Sequence, residues 1–75
     1  MRVRLKVKEV AQQKGVSQRQ LSLRSGVDLN TVRKVLHYPY SVVTTETLGR
    51  LAVTLDVDPS ELIEGVPDEE VEEGE

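Results

Sequence analysis

Gly26 sits in the middle of a stretch, SQRQLSLRSGVDLNTVRKVL (residues 17–36), that is otherwise suited to helix. Each side of it carries its own start signal. Ser17-Gln18-Arg19-Gln20 has the form of a capping box, in which the Ser17 hydroxyl accepts from the Gln20 amide and the Gln20 side chain reaches back. On the far side, Asp28 can cap again. The glycine supplies the left-handed residue that a helix end requires. The stretch is therefore expected to fold as a helix to about Ser25, a tight corner, and a helix from Leu29 to about Leu36. Val27 fills the angle, with Leu21 and Val32 as its partners. Val32, Val35 and Leu36 make one apolar stripe at i, i+3, i+4. Asn30, Arg33, Lys34 and His37 occupy the opposite face.

The flanks build around this pair. Residues 2–8, RVRLKVK, alternate basic and apolar, the pattern of a half-buried strand. From Val7 the spacing of Val7, Val10, Ala11 and Lys14 suits a helix, which Gly15 stops. Pro39 ends the helix that begins at Leu29. Val42, Val43 and Thr44 are β-branched and favour a strand, whose natural partner is the N-terminal strand, in the same chain or a second one. A fourth helix, capped at Thr44 or Thr45, holds Leu48, Leu51, Ala52 and Leu55. Asp58-Pro59-Ser60-Glu61 reads as another capping box, opening a final short helix with Leu62 and Ile63. The fold expected is mainly α: five short helices, a helix-turn-helix at the second and third, and a small two-stranded β-ribbon at about residues 2–6 and 41–44. Residues 1–66 form one domain and residues 67–75 a disordered acidic tail.

Size and composition narrow the function classes. A chain of 75 residues buries only about 60% of its unfolded surface, too little for a deep catalytic cavity with a supporting shell. With no cysteine and a single histidine, His37, the chain offers no disulfide, thiolate or metal site. No nucleophile–base pair stands at a useful spacing, so no enzyme and no cofactor is expected. No apolar run approaches the ~18 residues of a membrane span, and no signal-peptide pattern opens the sequence. A cytoplasmic, nucleoid-associated protein is the expectation. The net charge of −3 conceals a segregation: residues 1–50 hold all ten Lys and Arg against three acids, a net of +7, while residues 51–75 hold ten acids and no base. Such a basic body suits a polyanion or is simply a solvated surface.

Two capped helices around a glycine corner are the helix-turn-helix pattern, whose second helix projects a face into the DNA major groove. At this point the chain resembles the lambda repressor/Cro-like (XRE) family over residues 7–64. The resemblance is carried by Gly15, Ser17-Gln18, Leu21, Gly26-Val27, Thr31-Val32, Leu48, Leu51-Ala52, Leu55 to Val57 and Glu61-Leu62. It departs at Ser22, where alanine is usual and where the hydroxyl can bond back to a carbonyl one turn earlier. It departs also at Ala11, where arginine is common, and at Leu29, a position often polar.

The implied partner is double-stranded DNA, with residues 28–36 as the recognition helix of a transcriptional regulator, most simply a repressor. Asn30 can pair with adenine N6 and N7, Arg33 and Lys34 can reach guanine O6 and N7, and Leu29 can touch a thymine methyl. Base contact is favoured for Asn30 because Asp28 already serves as the cap. Gln18, Arg19, Arg24 and Tyr38 are the phosphate candidates, Gln18 in agreement with the family. One tyrosine is expected to pack as a core aromatic. A homodimer is expected on two half-sites, with the exposed strands or Val42 and Val43 as its interface. The alternative is an antitoxin- or adaptor-like module that binds a protein partner through the acidic tail.

Overall fold

The computed structural model describes residues 1–67. Along the chain run β1 (Arg2–Leu5), α1 (Val7–Lys14), α2 (Gln18–Ser25), α3 (Leu29–His37), α4 (Thr45–Leu55), a 3-10 turn (Pro59–Leu62) and β2 (Ile63–Val66). Several α-helix ends have a local cause. Ser17 caps α2 with both arms of its box closed: the Gln20 amide donates to Ser17 Oγ at 3.2 Å and the Ser17 amide to Gln20 Oε1 at 3.3 Å. Thr44 caps α4 by accepting from the Thr47 amide at 3.1 Å. At the C-terminus of α1, Gly15 is left-handed (φ 69°), and the Gly15 and Val16 amides close onto the carbonyls of Gln12 and Ala11.

The helices enclose a single aliphatic core. Leu21, Val32, Leu51, Leu55, Leu62 and Val7 are its largest fully buried side chains, so α1 to α4 and the 3-10 turn all contribute. Val10, Ala11, Val27, Val35 and Ala52 complete the packing, and Leu5 closes it from β1. No helix among the described residues is long and apolar enough to cross a membrane.

The ribbon departs from expectation. β1 pairs antiparallel with β2, in the register Arg2↔Val66, Val3↔Gly65, Arg4↔Glu64 and Leu5↔Ile63, whereas residues 41–44 form no strand. Thr44 is committed to capping α4, and Val42 is 92% exposed. The turn before this segment does meet β1, where the Leu5 amide donates to the Pro39 carbonyl at 2.7 Å. β-Branched residues favour a strand only where a partner and a buried face exist, and here β2 supplies them first. Across the ribbon, Arg4 donates to Glu64 at 2.9 Å and to Glu9 of α1 at 2.6 Å, tying both strands to the first helix.

The fifth helix is also corrected: among the described residues four α-helices form, and the element after α4 is a 3-10 turn of four residues. Asp58 caps it through Ser60, whose amide and hydroxyl donate to Asp58 Oδ2 at 3.0 and 2.6 Å, in place of the expected exchange with Glu61. Ile63, assigned to that helix from the sequence, opens β2 instead. Gly65 and Pro67 leave no room for further helical turns, and β1 captures the segment. The expected acidic tail falls, beyond Pro67, outside the described residues.

At the end of α4, Asp56 occupies the left-handed position that Gly15 fills in α1, with φ 59°. It is the one non-glycine residue with positive φ among those described, and its charge stands at the negative end of the helix dipole. Asp56→Gly is expected to raise stability by about 0.5–1 kcal/mol, which for a domain of this size is a rise in Tm of about 2–8 °C in thermal unfolding.

Candidate nucleic-acid interface

The corner between α2 and α3 is held from both sides of one residue. Gly26 ends α2 in the left-handed region (φ 79°) and donates its amide to the Ser22 carbonyl at 3.1 Å. The next residue, Val27, is buried, and both of its backbone groups are taken by serines of α2. Ser22 Oγ donates to the Val27 carbonyl at 2.7 Å, and the Val27 amide donates to Ser25 Oγ at 3.1 Å. Ser22 thus bonds forward across the corner, not back along its own helix. A Cβ at Gly26 would meet nothing nearer than Arg50 Nη1 at 3.6 Å, so backbone conformation, not space, requires glycine there.

Asp28 then starts α3. It accepts from the Thr31 amide at 3.1 Å and from Thr31 Oγ1 at 2.7 Å. The Thr31 hydroxyl and amide hold the Asp28 carboxyl below its ordinary range, in that order of importance. The cap leaves the Asn30 side chain unused. Val32 and Val35 point into the core and Leu36 is half-buried, which turns Asn30, Arg33, Lys34 and His37 outward. Leu29, at the first position of α3, is 38% exposed. Among the described residues, no hydrogen bond or ion pair engages the side chains of Asn30, Arg33 or Lys34.

The remaining candidates separate into two places. Gln18 opens α2 and lines a shallow groove with Lys8 and Gln12 of α1, Ser17, Leu36 and His37. The start of α2 and the end of α3 therefore meet over α1. Arg19 is exposed beside Gln18, and Tyr38, at the C-terminal cap of α3, is 65% exposed. Arg24 lies elsewhere: at the far end of α2 it lines a depression with Ser25, Glu46, Gly49, Arg50 and Val53, against α4. Lys8 and Gln12 were missed in the sequence. Their signal is the i, i+4 spacing on α1, with Ala11 between them lining the same groove. Neither tyrosine is a core aromatic; Tyr40 is 40% exposed and packs under Arg2.

Two outcomes follow for the corner. Ser22→Ala strips a partner from the Val27 carbonyl and is expected to cost about 1–2 kcal/mol in denaturant unfolding, with a further loss when Ser25→Ala is added. The Asp28 cap has a pH signature. Its folded pKa is lowered, so its contribution is complete above the ordinary aspartate pKa of about 3.9 and is lost as pH falls through the lowered folded value. Asp28→Asn, which keeps an acceptor oxygen without the titration, should show a smaller fall in Tm than the parent chain between neutral pH and that acid window.

Comparison with known proteins agrees with this geometry. The family model of the Cro/C1-type HTH DNA-binding domain matches residues 6–68. A crystal structure of a candidate DNA-binding protein from Bacteroides fragilis superposes with a TM-score of 0.73 at 27% identity, covering 83% of this chain and 98% of that one. No curated protein matches the chain. The matched span takes in every helix, the glycine corner and both caps around it, and the chain belongs to the Cro/C1-type helix-turn-helix DNA-binding domain family.

Proposed function

We propose that the chain is a sequence-specific transcriptional repressor that binds duplex DNA as a homodimer, with α3 in the major groove. The observation that carries this reading is the outward face of α3. Asn30, Arg33 and Lys34 stand exposed and unengaged on one side of a helix whose other side is locked into the core. Asn30 offers an amide matched to adenine, Arg33 and Lys34 offer donors to guanine, and Leu29 an apolar surface for a thymine methyl. In this reading Gln18, Arg19 and Tyr38 contact phosphates at the edges of this face, and Arg24 does so only where the backbone wraps past the end of α2.

Affinity in this reading comes mainly from counterion release. With about five phosphate contacts per subunit, log K falls against log salt with a slope of about −4 to −5, doubled for a dimer. Two copies on half-sites about one helical turn apart bring two α3 helices into successive major grooves. Val42, fully outside the core, and the outer edge of β2 are the surfaces through which the copies would meet.

The test is selection of purified chain against fragmented genomic DNA, with Asn30→Ala in parallel. The parent is expected to enrich a short near-palindromic site. Asn30→Ala should lose about 1–3 kcal/mol of discrimination at one base pair of each half-site. Enrichment of a site without two-fold symmetry would count against the dimer. No enrichment at all would move the basic face out of sequence reading and favour a protein partner.

A further inference from the structure

Most cations outside α3 and the start of α2 are either solvated or bound to carboxylates. Arg4 gives its donors to Glu9 and Glu64, and Arg50 gives a donor to Glu46. Arg2 is held differently. Its guanidinium lies over the ring of Tyr40, with Cζ 4.1 Å from the ring centroid. Stacking uses the flat face of the guanidinium and leaves the N–H groups along its edge free to donate. Among the described residues, no carboxylate takes them.

The pair is also firmly mounted. Arg2 is part of the β1–β2 ladder, opposite Val66. Tyr40 stands in the tight turn that follows α3, closed by the Ser41 amide on the Tyr38 carbonyl at 3.0 Å. That turn is pinned to β1 through the Leu5 amide and the Pro39 carbonyl at 2.7 Å. Tyr40 follows the last residue of α3, His37, by three positions, and β1 carries Arg2 to the same end of that helix.

We propose that Arg2 and Tyr40 together form a further seat for a DNA phosphodiester, outside the helix-turn-helix and at the C-terminal end of α3. The inference rests on the reading of α3 as the recognition helix. The guanidinium edge offers two parallel N–H donors to phosphate oxygens, and the Tyr40 hydroxyl offers a third. The ring restrains the arginine beforehand, so less rotamer freedom is lost when phosphate binds. Glu64 of β2 and Glu9 of α1 are already paired with Arg4 and do not compete. The seat carries no base information. It adds affinity and fixes where the end of α3 lies against the backbone.

The experiment compares the full chain with Arg2→Gln, Tyr40→Leu and Tyr40→Phe on two duplexes, one carrying the selected site and one of random sequence, over a salt series. Arg2→Gln is expected to weaken both duplexes by the same factor and to make the slope of log K against log salt shallower by about 0.9 per subunit. Tyr40→Leu should do the same by unseating the arginine. Tyr40→Phe, which keeps the ring, should hold the parent slope. Arg2 is exposed, so Arg2→Gln should melt with the parent, and melting curves separate any folding defect in the Tyr40 variants. An unchanged slope in Arg2→Gln overturns the proposal. So does tighter binding, and so does an altered base preference. Failure of the recognition-helix reading shows separately, as an Asn30→Ala variant that selects the parent site unchanged.

Discussion

The backbone of Val27 is the point on which the interface depends. Its carbonyl and amide are each bound by a serine of α2, at 2.7 and 3.1 Å, and its side chain is buried in the core. A residue fixed at N–H, C=O and side chain has no freedom left, so the direction in which Asp28 launches α3 is set by α2. Gly26 makes the corner geometrically accessible, and the two serines make it specific. Because α3 also buries Val32 and Val35, its outward face is determined by elimination: whatever lies at 30, 33, 34 and 37 must face solvent. Presentation of Asn30, Arg33 and Lys34 is thus a consequence of how the corner is held.

A second consequence concerns the ribbon. In a domain this small, the start and end of the described chain are joined by β1 and β2 and then tied to α1 through Arg4, Glu9 and Glu64. The Arg4 hydrogen bond holds the Glu9 carboxyl below its ordinary range. A half-exposed pair of this kind contributes little by itself. Its value here is connectivity, since it fastens to the first helix a two-stranded ribbon that would be marginal alone. The ribbon also meets the turn after α3 through Leu5 and Pro39, so both ends of α3 are anchored, one by the Val27 corner and one by β1.

What could be read from the sequence was local, and what could not was remote. Ser17, Asp28, Thr44, Gly15 and Gly26 announce helix ends because a cap acts over three or four residues, all visible in one short window. Leu21, Val32, Leu51 and Leu55 fall on helical stripes and are buried as expected. The strand partner was misread because pairing Arg4 with Glu64 spans 60 positions, while the β-branched run at Val42 and Val43 mimics a strand without a buried face. Ser22 illustrates the same limit within one helix. A bond to the preceding turn was the local expectation, but the corner brought the Val27 carbonyl within reach. Arg24 and Gln18 belong to one eight-residue helix, and both are phosphate candidates in the sequence. Only the packing of α2 against α4 and of α3 over α1 separates them. The face of α3 was legible because it is the complement of an apolar stripe, whereas Lys8, Gln12 and Arg2 became candidates only once α1 and β1 were placed beside it.

The claim that the outward face of α3, flanked by the start of α2, is where DNA binds can be tested without knowing the operator. A titration of the nitrogen-15-labelled chain with a short random-sequence duplex at low salt, followed by amide chemical shifts, maps the contact surface directly. The account predicts the largest changes along residues 29–38 and at Gln18 and Arg19, fading as salt is raised. Changes concentrated on α4, around Glu46, Arg50 and Val53, with α3 undisturbed, would contradict it.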